Sequence, residues 1–178
     1  MKRFLAALVF LLPATPMPAT AQANPEFAGY WKTDTEKSSA LDPWRRIDME
    51  ISVKDDTVTL IRHYDAGRRK AVETMVIDTS APSQVVETEG WWDNRHIGAY
   101  LGNDNKQTVA ATWLDNSQTL QLNIDLILET SQGETPVRVY RELRLSDDGQ
   151  RLTDLQIRSS RNLPVVRVYN KSETGGRP

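Results

Sequence analysis

Apolar and polar residues alternate with a period of two along most of this chain. In the segments 47–54 and 120–126 every second residue is Ile, Leu, Met or Val, and each residue between them is polar. Because successive side chains of a strand point to opposite faces, such segments predict strands with one buried and one solvated face. A helix needs apolar spacings of three and four residues, and no long stretch of the chain has them.

Short segments that contain Asp, Asn or Gly interrupt the alternation and predict turns. They leave about ten predicted strands, at 28–33, 47–54, 57–64, 70–78, 85–92, 108–114, 119–129, 137–145, 152–158 and 165–169. Two connections are longer. The segment 34–43 is polar and has room for a short helical turn, and 93–106 is either an extra edge strand or a flap over one end of the fold. Short strands at this spacing indicate an all-β sandwich or barrel built of hairpins.

The residues ahead of the first strand predict a secretory signal peptide. Lys2 and Arg3 precede nine apolar residues, prolines follow between 13 and 18, and Ala21-Gln22-Ala23 offers small residues to signal peptidase. Nine apolar residues are too few to cross a bilayer, which takes about 20. We expect cleavage after Ala23, so that 24–172 form the domain, in the periplasm or outside the cell, and 173–178 form a disordered tail.

The composition of the mature chain limits the kinds of partner that it is expected to bind. Cleavage leaves 155 of the 178 residues, enough for one domain, with 20 basic against 24 acidic residues and a net charge of −4. A mildly acidic chain without a membrane span has no electrostatic attraction to nucleic acid or to an anionic membrane. The sequence contains no cysteine, so the exported domain has no disulfides and depends on its hydrophobic core.

The start of the mature chain carries a motif. It consists of Gly29-x-Trp31, a spaced Asp34 and the pair Lys37-Ser38, and the last predicted strand contains Arg167-Val168-Tyr169. In these features and in its succession of hairpins the chain resembles a group of secreted bacterial lipocalin-like proteins. The resemblance implies a calycin-type fold, a single antiparallel up-and-down β-barrel of about 8–10 strands without large helices. It also implies that Gly29 and Trp31 help to close one end of the barrel, with the Arg167 guanidinium packed across the indole ring.

We find no catalytic or metal-binding signature in the sequence. His63 and His96 lie in separate elements, and metal sites usually need at least three ligands. There is no Cys, and no Ser lies in a Gly-x-Ser-x-Gly elbow. Asp93, Arg95 and His96 form the one acid–base cluster, but it lacks an activated nucleophile. We therefore predict no catalytic residue, no metal and no cofactor.

Trp91 and Trp92 are adjacent on a predicted strand and should face opposite ways. Either one fills the core while the other packs under 93–106, or the inward ring lines a ligand cavity with Tyr100 and Trp113. Arg141 has the inward phase of its strand, so it needs a buried partner, a water-filled interior or a bulge that turns it outward. The predicted cavity residues are Trp91, Trp92, Tyr100, Trp113, Leu122, Ile124, Leu126 and Arg141.

These features predict an exported lipocalin-like protein, not an enzyme, that binds a small apolar or amphipathic ligand within its barrel in the cell envelope. The alternative is a barrel with a solid core whose loops contact an envelope partner. An enzyme that uses the barrel mouth is the least favoured of the three. An outer-membrane barrel is excluded because the outer faces carry Gln121, Asn123 and Asp125.

Overall fold

The computed structural model describes residues 22–40, 44–88 and 99–173. Within these ranges the strands are β1 (Gly29–Asp34), β2 (Arg46–Lys54), β3 (Thr57–Asp65), β4 (Lys70–Asp78), β5 (Gln84–Glu87), β6 (Tyr100–Leu101), β7 (Lys106–Leu114), β8 (Thr119–Thr130), β9 (Gly133–Leu145), β10 (Arg151–Arg158) and β11 (Val165–Ser172). Two 3₁₀ helices, Pro25–Phe27 and Asn103–Asn105, are short. Most of the predicted signal peptide, the residues Trp91, Trp92, Asp93, Arg95 and His96, and the tail after residue 173 lie outside the described residues.

The strands form one antiparallel sheet that curls into a nearly closed barrel. Its hydrogen-bonded path of ten strands runs β4-β3-β2-β1-β11-β10-β9-β8-β7-β5, and β6 adds an eleventh strand beside β8. Pairing of β1 with β11 joins the two ends of the chain, while β4 and β5 meet at the open seam. The Gln84 side chain spans part of that seam, because its amide bonds both the N–H and the C=O of Asp78. The predicted all-β antiparallel barrel is confirmed.

Two strands are longer than predicted, because their hydrogen-bonded pairing continues beyond the segments in which apolar and polar residues alternate. β9 begins at Gly133, four residues before the predicted start, because its exposed first residues still pair with β8 up to Thr130. β11 continues to Ser172 because it pairs with β1 as far as Tyr30. In the described part of the 93–106 connection, the edge-strand alternative is correct, since Leu101 pairs with Leu128. A turn, rather than a helix, occupies 35–37.

One end of the barrel is closed by aromatic side chains, which we call the aromatic end: Phe27, Trp31 and Trp113. All three are buried, and the Phe27 and Trp113 rings meet edge to face with centroids 5.0 Å apart. The Trp31 Nε1–H donates to the carbonyl of Phe27 at 2.9 Å. This contact fixes the segment before β1 against the barrel.

Gly29 allows the chain to enter β1 beside this aromatic end. Its φ of +145° lies in a region that L side chains rarely adopt, and a Cβ there would stand 3.0 Å from Cε of Lys171. The Lys171 ammonium in turn lies 5.1 Å from the centre of the Trp31 ring. The cation described over this indole is therefore Lys171, while the described ion pair of Arg167 is with Asp154.

Within 22–40, 44–88 and 99–173, the structure contains no helix with the length and hydropathy that a membrane span requires.

Candidate ligand site

The predicted cavity residues are spread over different parts of the barrel. Leu122, Ile124 and Leu126 are buried on the inward face of β8. Trp113 belongs to the aromatic end, and Tyr100 is about half exposed on the edge strand β6. Trp113 shares one hydrophobic cluster with Leu122, Ile124 and Leu126, whereas Tyr100 is not part of that cluster.

Ile124, Leu126 and Arg141 do come together around an inner cavity of about 20 Å³, which they share with Arg62, Gln107 and Gln156. That volume holds roughly one water molecule. The inner cavity is too small for an organic ligand, but it marks where aliphatic and charged side chains meet.

Arg141 finds a buried partner, which decides between the alternatives left open by the sequence. β9 keeps its alternation through this position, so no bulge turns the side chain outward. Its Nε and Nη2 donate to the two oxygens of Asp154, each at 2.9 Å. Both side chains are almost wholly buried, and a bidentate pair is the arrangement in which buried charges satisfy each other.

Arg167 approaches the same carboxylate from β11, with its Nη1 3.5 Å from Oδ2 of Asp154. Burial alone would raise the pKa of Asp154, but the Arg141 guanidinium, with Arg167 and Arg62 nearby, holds that pKa below its ordinary value. Asp154 is therefore an ionised carboxylate that serves several arginines at once.

A second buried ion pair lies across β3 and β4. Arg62 and Glu73 are direct register partners and form a close ion pair. The Tyr64 hydroxyl donates to the other oxygen of Glu73 at 2.7 Å. The Arg62 guanidinium also lies 5.4 Å from the centre of the Tyr64 ring, which adds a cation–π contact to the ion pair.

Further buried polar side chains lie on the inward face of β10. Gln156 donates to Asp154 at 3.4 Å, and Arg158 donates to the amide oxygen of Gln156 at 2.8 Å. The spacing Asp154-x-Gln156-x-Arg158 is visible in the sequence, but this buried polar row was not predicted from it. We call the seven buried residues Arg62, Glu73, Arg141, Asp154, Gln156, Arg158 and Arg167 the polar layer.

A cleft of about 210 Å³ opens at the end of the barrel where β1 ends and β2 begins, away from the aromatic end. Residues of 33–40 and 44–47 line it together with Arg167. Arg167 therefore belongs both to the polar layer and to the cleft. The Trp44 ring forms part of the wall and packs on Tyr64, with centroids 5.1 Å apart.

The rim of the cleft is held in place by hydrogen bonds to β11. The Ser39 N–H donates to the carbonyl of Val166 at 2.7 Å, and the Val166 N–H donates back to the Ser39 hydroxyl at 3.0 Å. The Ser38 hydroxyl accepts from the N–H of Val168 at 2.9 Å. Two serines thus extend the β1–β11 pairing and position the rim beside Arg167.

His63 lies on the outer face, away from the polar layer. Its ring centre is 6.0 Å from that of Tyr30, and its Nε2 is 3.8 Å from Glu50. The neighbouring Tyr30 hydroxyl donates to Asp48 at 3.2 Å, and burial with the nearby Asp48 charge raises the pKa of Tyr30 to about 12. Among the described residues, no three His, Asp or Glu side chains are grouped as a metal site would need.

Fold and site together define an antiparallel β-barrel with a charged interior layer and a cleft at one end. A scan against models of protein families and a search of curated proteins found no match to this sequence. Function therefore has to be inferred from the residues and their geometry.

Replacing Asp154 with Asn should lower the free energy of unfolding by about 3–5 kcal/mol near neutral pH, since three arginines lose their shared counter-charge. Because the folded-state pKa of Asp154 lies below its ordinary 3.8, the wild-type advantage is fully present above pH 3.8 and shrinks as pH falls further. Urea unfolding of both proteins at several pH values measures this difference.

Asp125→Asn is the matched control, because it removes an exposed ion pair with Arg138 on the outer face. Its cost should stay below about 1 kcal/mol. Equal effects of the two substitutions would contradict the importance assigned to the buried carboxylate.

Proposed function

We propose that this protein is an exported, non-enzymatic, lipocalin-like barrel that binds a small apolar or amphipathic ligand in the cell envelope. The observation that carries the proposal is the cleft beside the polar layer. Its wall combines the buried apolar side chains of Trp44 and Ile47 with hydroxyl groups and the Arg167 guanidinium. Ligand sites typically join apolar walls with a few well-placed polar groups in this way.

The size of the available space favours the cleft over the inner cavity as the binding position. Drug-sized ligands usually occupy roughly 300–1,000 Å³. The cleft, at about 210 Å³, suits a smaller molecule or one end of a longer one, whereas the inner cavity has about 20 Å³.

The proposed family and the proposed cellular location are inferred from the sequence. The Gly29-x-Trp31 motif and the terminal Arg-x-Tyr element carry the resemblance to secreted bacterial lipocalin-like proteins. The nearly closed antiparallel barrel is compatible with that resemblance. The basic, apolar and small-residue segments of 1–23 support export with cleavage after Ala23.

Filling the cleft should abolish ligand binding. Thr35 lines the cleft and is exposed, so Thr35→Trp adds an indole there without disturbing the core. Titration with the neutral fluorescent probe N-phenyl-1-naphthylamine should show an affinity at least about tenfold weaker than that of the wild type. Glu36→Trp is the control, because Glu36 is also exposed but does not line the cleft.

Two results would contradict the proposal. A wild-type protein that does not bind the probe is not a carrier of apolar or amphipathic ligands. Probe binding that persists in Thr35→Trp but is lost in Leu126→Trp would show that the ligand lies inside the barrel rather than in the cleft.

Export has its own test. Expression of the full chain in a bacterial host should give a periplasmic or secreted product whose intact mass corresponds to a first residue Asn24. Ala23→Asp should block this processing, because the signal peptidase site needs a small residue there. An exported protein that keeps residues 1–23 would contradict the signal-peptide prediction.

A second candidate function is the barrel that contacts an envelope partner. Val72 and Val76 on β4 and Val85 on β5 are each at least half exposed, and β4 and β5 flank the seam. Exposed apolar groups in one region are typical of interaction surfaces. A wild-type protein without affinity for the probe would favour this candidate.

A further inference from the structure

Exposed aliphatic side chains are concentrated on the outer surface around the open seam. Among the described residues six large apolar side chains are exposed, and three of them, Val72, Val76 and Val85, lie on β4 and β5. They are 53%, 50% and 68% exposed. Single exposed apolar residues are ordinary on a protein surface, but several on adjoining strands indicate a contact surface.

The outer surface beside these valines is uncharged. Thr74 lies between Val72 and Val76 on the outer side of β4. The register partner of Thr74 on β3 is Ile61, and Thr59 pairs with Val76. We call this surface the valine face: Thr59, Ile61, Val72, Thr74, Val76 and Val85.

Opposite charges lie at the two ends of the β4 row. The strand begins with Lys70 and ends with Asp78, and both side chains are exposed. Thr74 is the midpoint of the row, with a valine two residues away and a charge four residues away on each side. A two-fold axis through Thr74, across the strand and in the plane of contact, therefore places Lys70 of one copy over Asp78 of the other and Val72 over Val76. An isologous dimer interface requires this kind of self-complementarity.

Both charges are available to a second copy. No ion pair of Lys70 occurs within the described part of the chain, since its register partner Asp65 contacts Arg46 at 3.5 Å instead. The hydrogen bonds that Asp78 accepts from Ser80 hold its pKa below its ordinary value, so the side chain is a carboxylate at neutral pH.

The seam favours contact through the valine face rather than through the edge of β4. An open edge strand can extend a sheet into a second copy. Here the Gln84 amide already bonds the N–H and the C=O of Asp78, at 3.0 and 2.7 Å, and β5 lies alongside β4. The end of β4 that a continuous two-chain sheet would need is therefore occupied.

From these observations we infer that the valine face is the contact surface of a symmetric homodimer. The two faces pack with their β4 strands antiparallel, and a Lys70–Asp78 ion pair lies at each end of the contact. The occupant is a second copy rather than a different envelope protein, because the symmetry about Thr74 matches the chain to itself. The inference goes beyond the proposed ligand function, since no residue of the valine face lines the cleft.

Sedimentation velocity of the mature protein over about 1–500 µM should show a reversible monomer–dimer equilibrium. Val76→Glu places a carboxylate opposite Val72 and should weaken dimerisation at least about tenfold. Asn123→Glu is the matched control, because Asn123 is exposed on the outer side of β8, and it should leave the equilibrium unchanged.

Charge reversal tests the symmetry itself. Lys70→Glu alone sets two carboxylates against each other at both ends of the contact, and Asp78→Lys alone sets two ammonium groups there. Each should weaken the dimer at least about threefold. The double variant Lys70→Glu/Asp78→Lys restores opposite charges and should recover most of the wild-type affinity, which damage to folding would not do. Near-ultraviolet circular dichroism checks that each variant retains wild-type packing.

Chemical crosslinking locates the axis. Because the chain contains no cysteine, a single introduced cysteine reports on one position. In Thr74→Cys a short bismaleimide should link the two copies of the dimer, whereas Asn123→Cys should stay unlinked.

A wild type that remains monomeric over this range would overturn the inference, even where a different envelope protein binds the valine face. A dimer that Val76→Glu leaves unchanged, or a double charge variant as weak as the single ones, would also overturn it. Titration with N-phenyl-1-naphthylamine keeps the two proposals apart. Loss of dimerisation should leave dye binding at the wild-type level, and a wild type that dimerises without binding the dye would contradict the ligand proposal alone.

Discussion

The hydrogen-bonded contact between Arg141 and Asp154 is the interaction on which the interior of this barrel depends. It places two opposite charges, almost completely buried, between β9 and β10. Arg167 on β11 shares the same carboxylate, so one anion joins three consecutive strands of the sheet path. Without Asp154 the arginines would face a largely apolar interior without a shared partner, and that arrangement is strongly unfavourable.

This charged centre divides the interior. Toward the start of β1, the space is filled by Phe27, Trp31 and Trp113, whose rings pack and leave one end closed. Toward the end of β1, Arg167 connects the polar layer to a cleft with an aromatic wall. The two ends therefore differ in chemistry: aromatic rings fill one end, whereas hydroxyl groups, arginines and an aromatic wall line the cleft at the other.

Much of the fold was predictable because alternation is unambiguous on most strands. β4 runs from Lys70 to Asp78, as predicted, and Leu122, Ile124 and Leu126 point inward as their spacing indicates. The sequence of β10 alone does not show which of its faces points inward. Its inward row contains Asp154 and its outward row Ile157, so apolar content alone favours the wrong face; pairing of Asp154 with Leu143 on β9 sets the phase. Because the sequence alone did not place Asp154 on the inward face, it did not show that Asp154 is the partner of Arg141.

The cleft was not predictable, because it joins segments far apart in the chain. Pairing of β1 with β11 brings residues near 35 beside Arg167, and two serine hydroxyls then hold the rim on β11. No motif or spacing in the sequence signals such an arrangement. The predicted cavity instead relied on rings such as Tyr100 and Trp113, and neither of them lines the cleft.

A crystal structure of the mature protein with bound N-phenyl-1-naphthylamine tests the central claim most directly. We expect the dye in the cleft, with its rings against Trp44. A dye bound on the outer face, or inside the barrel while the cleft stays empty, would contradict it.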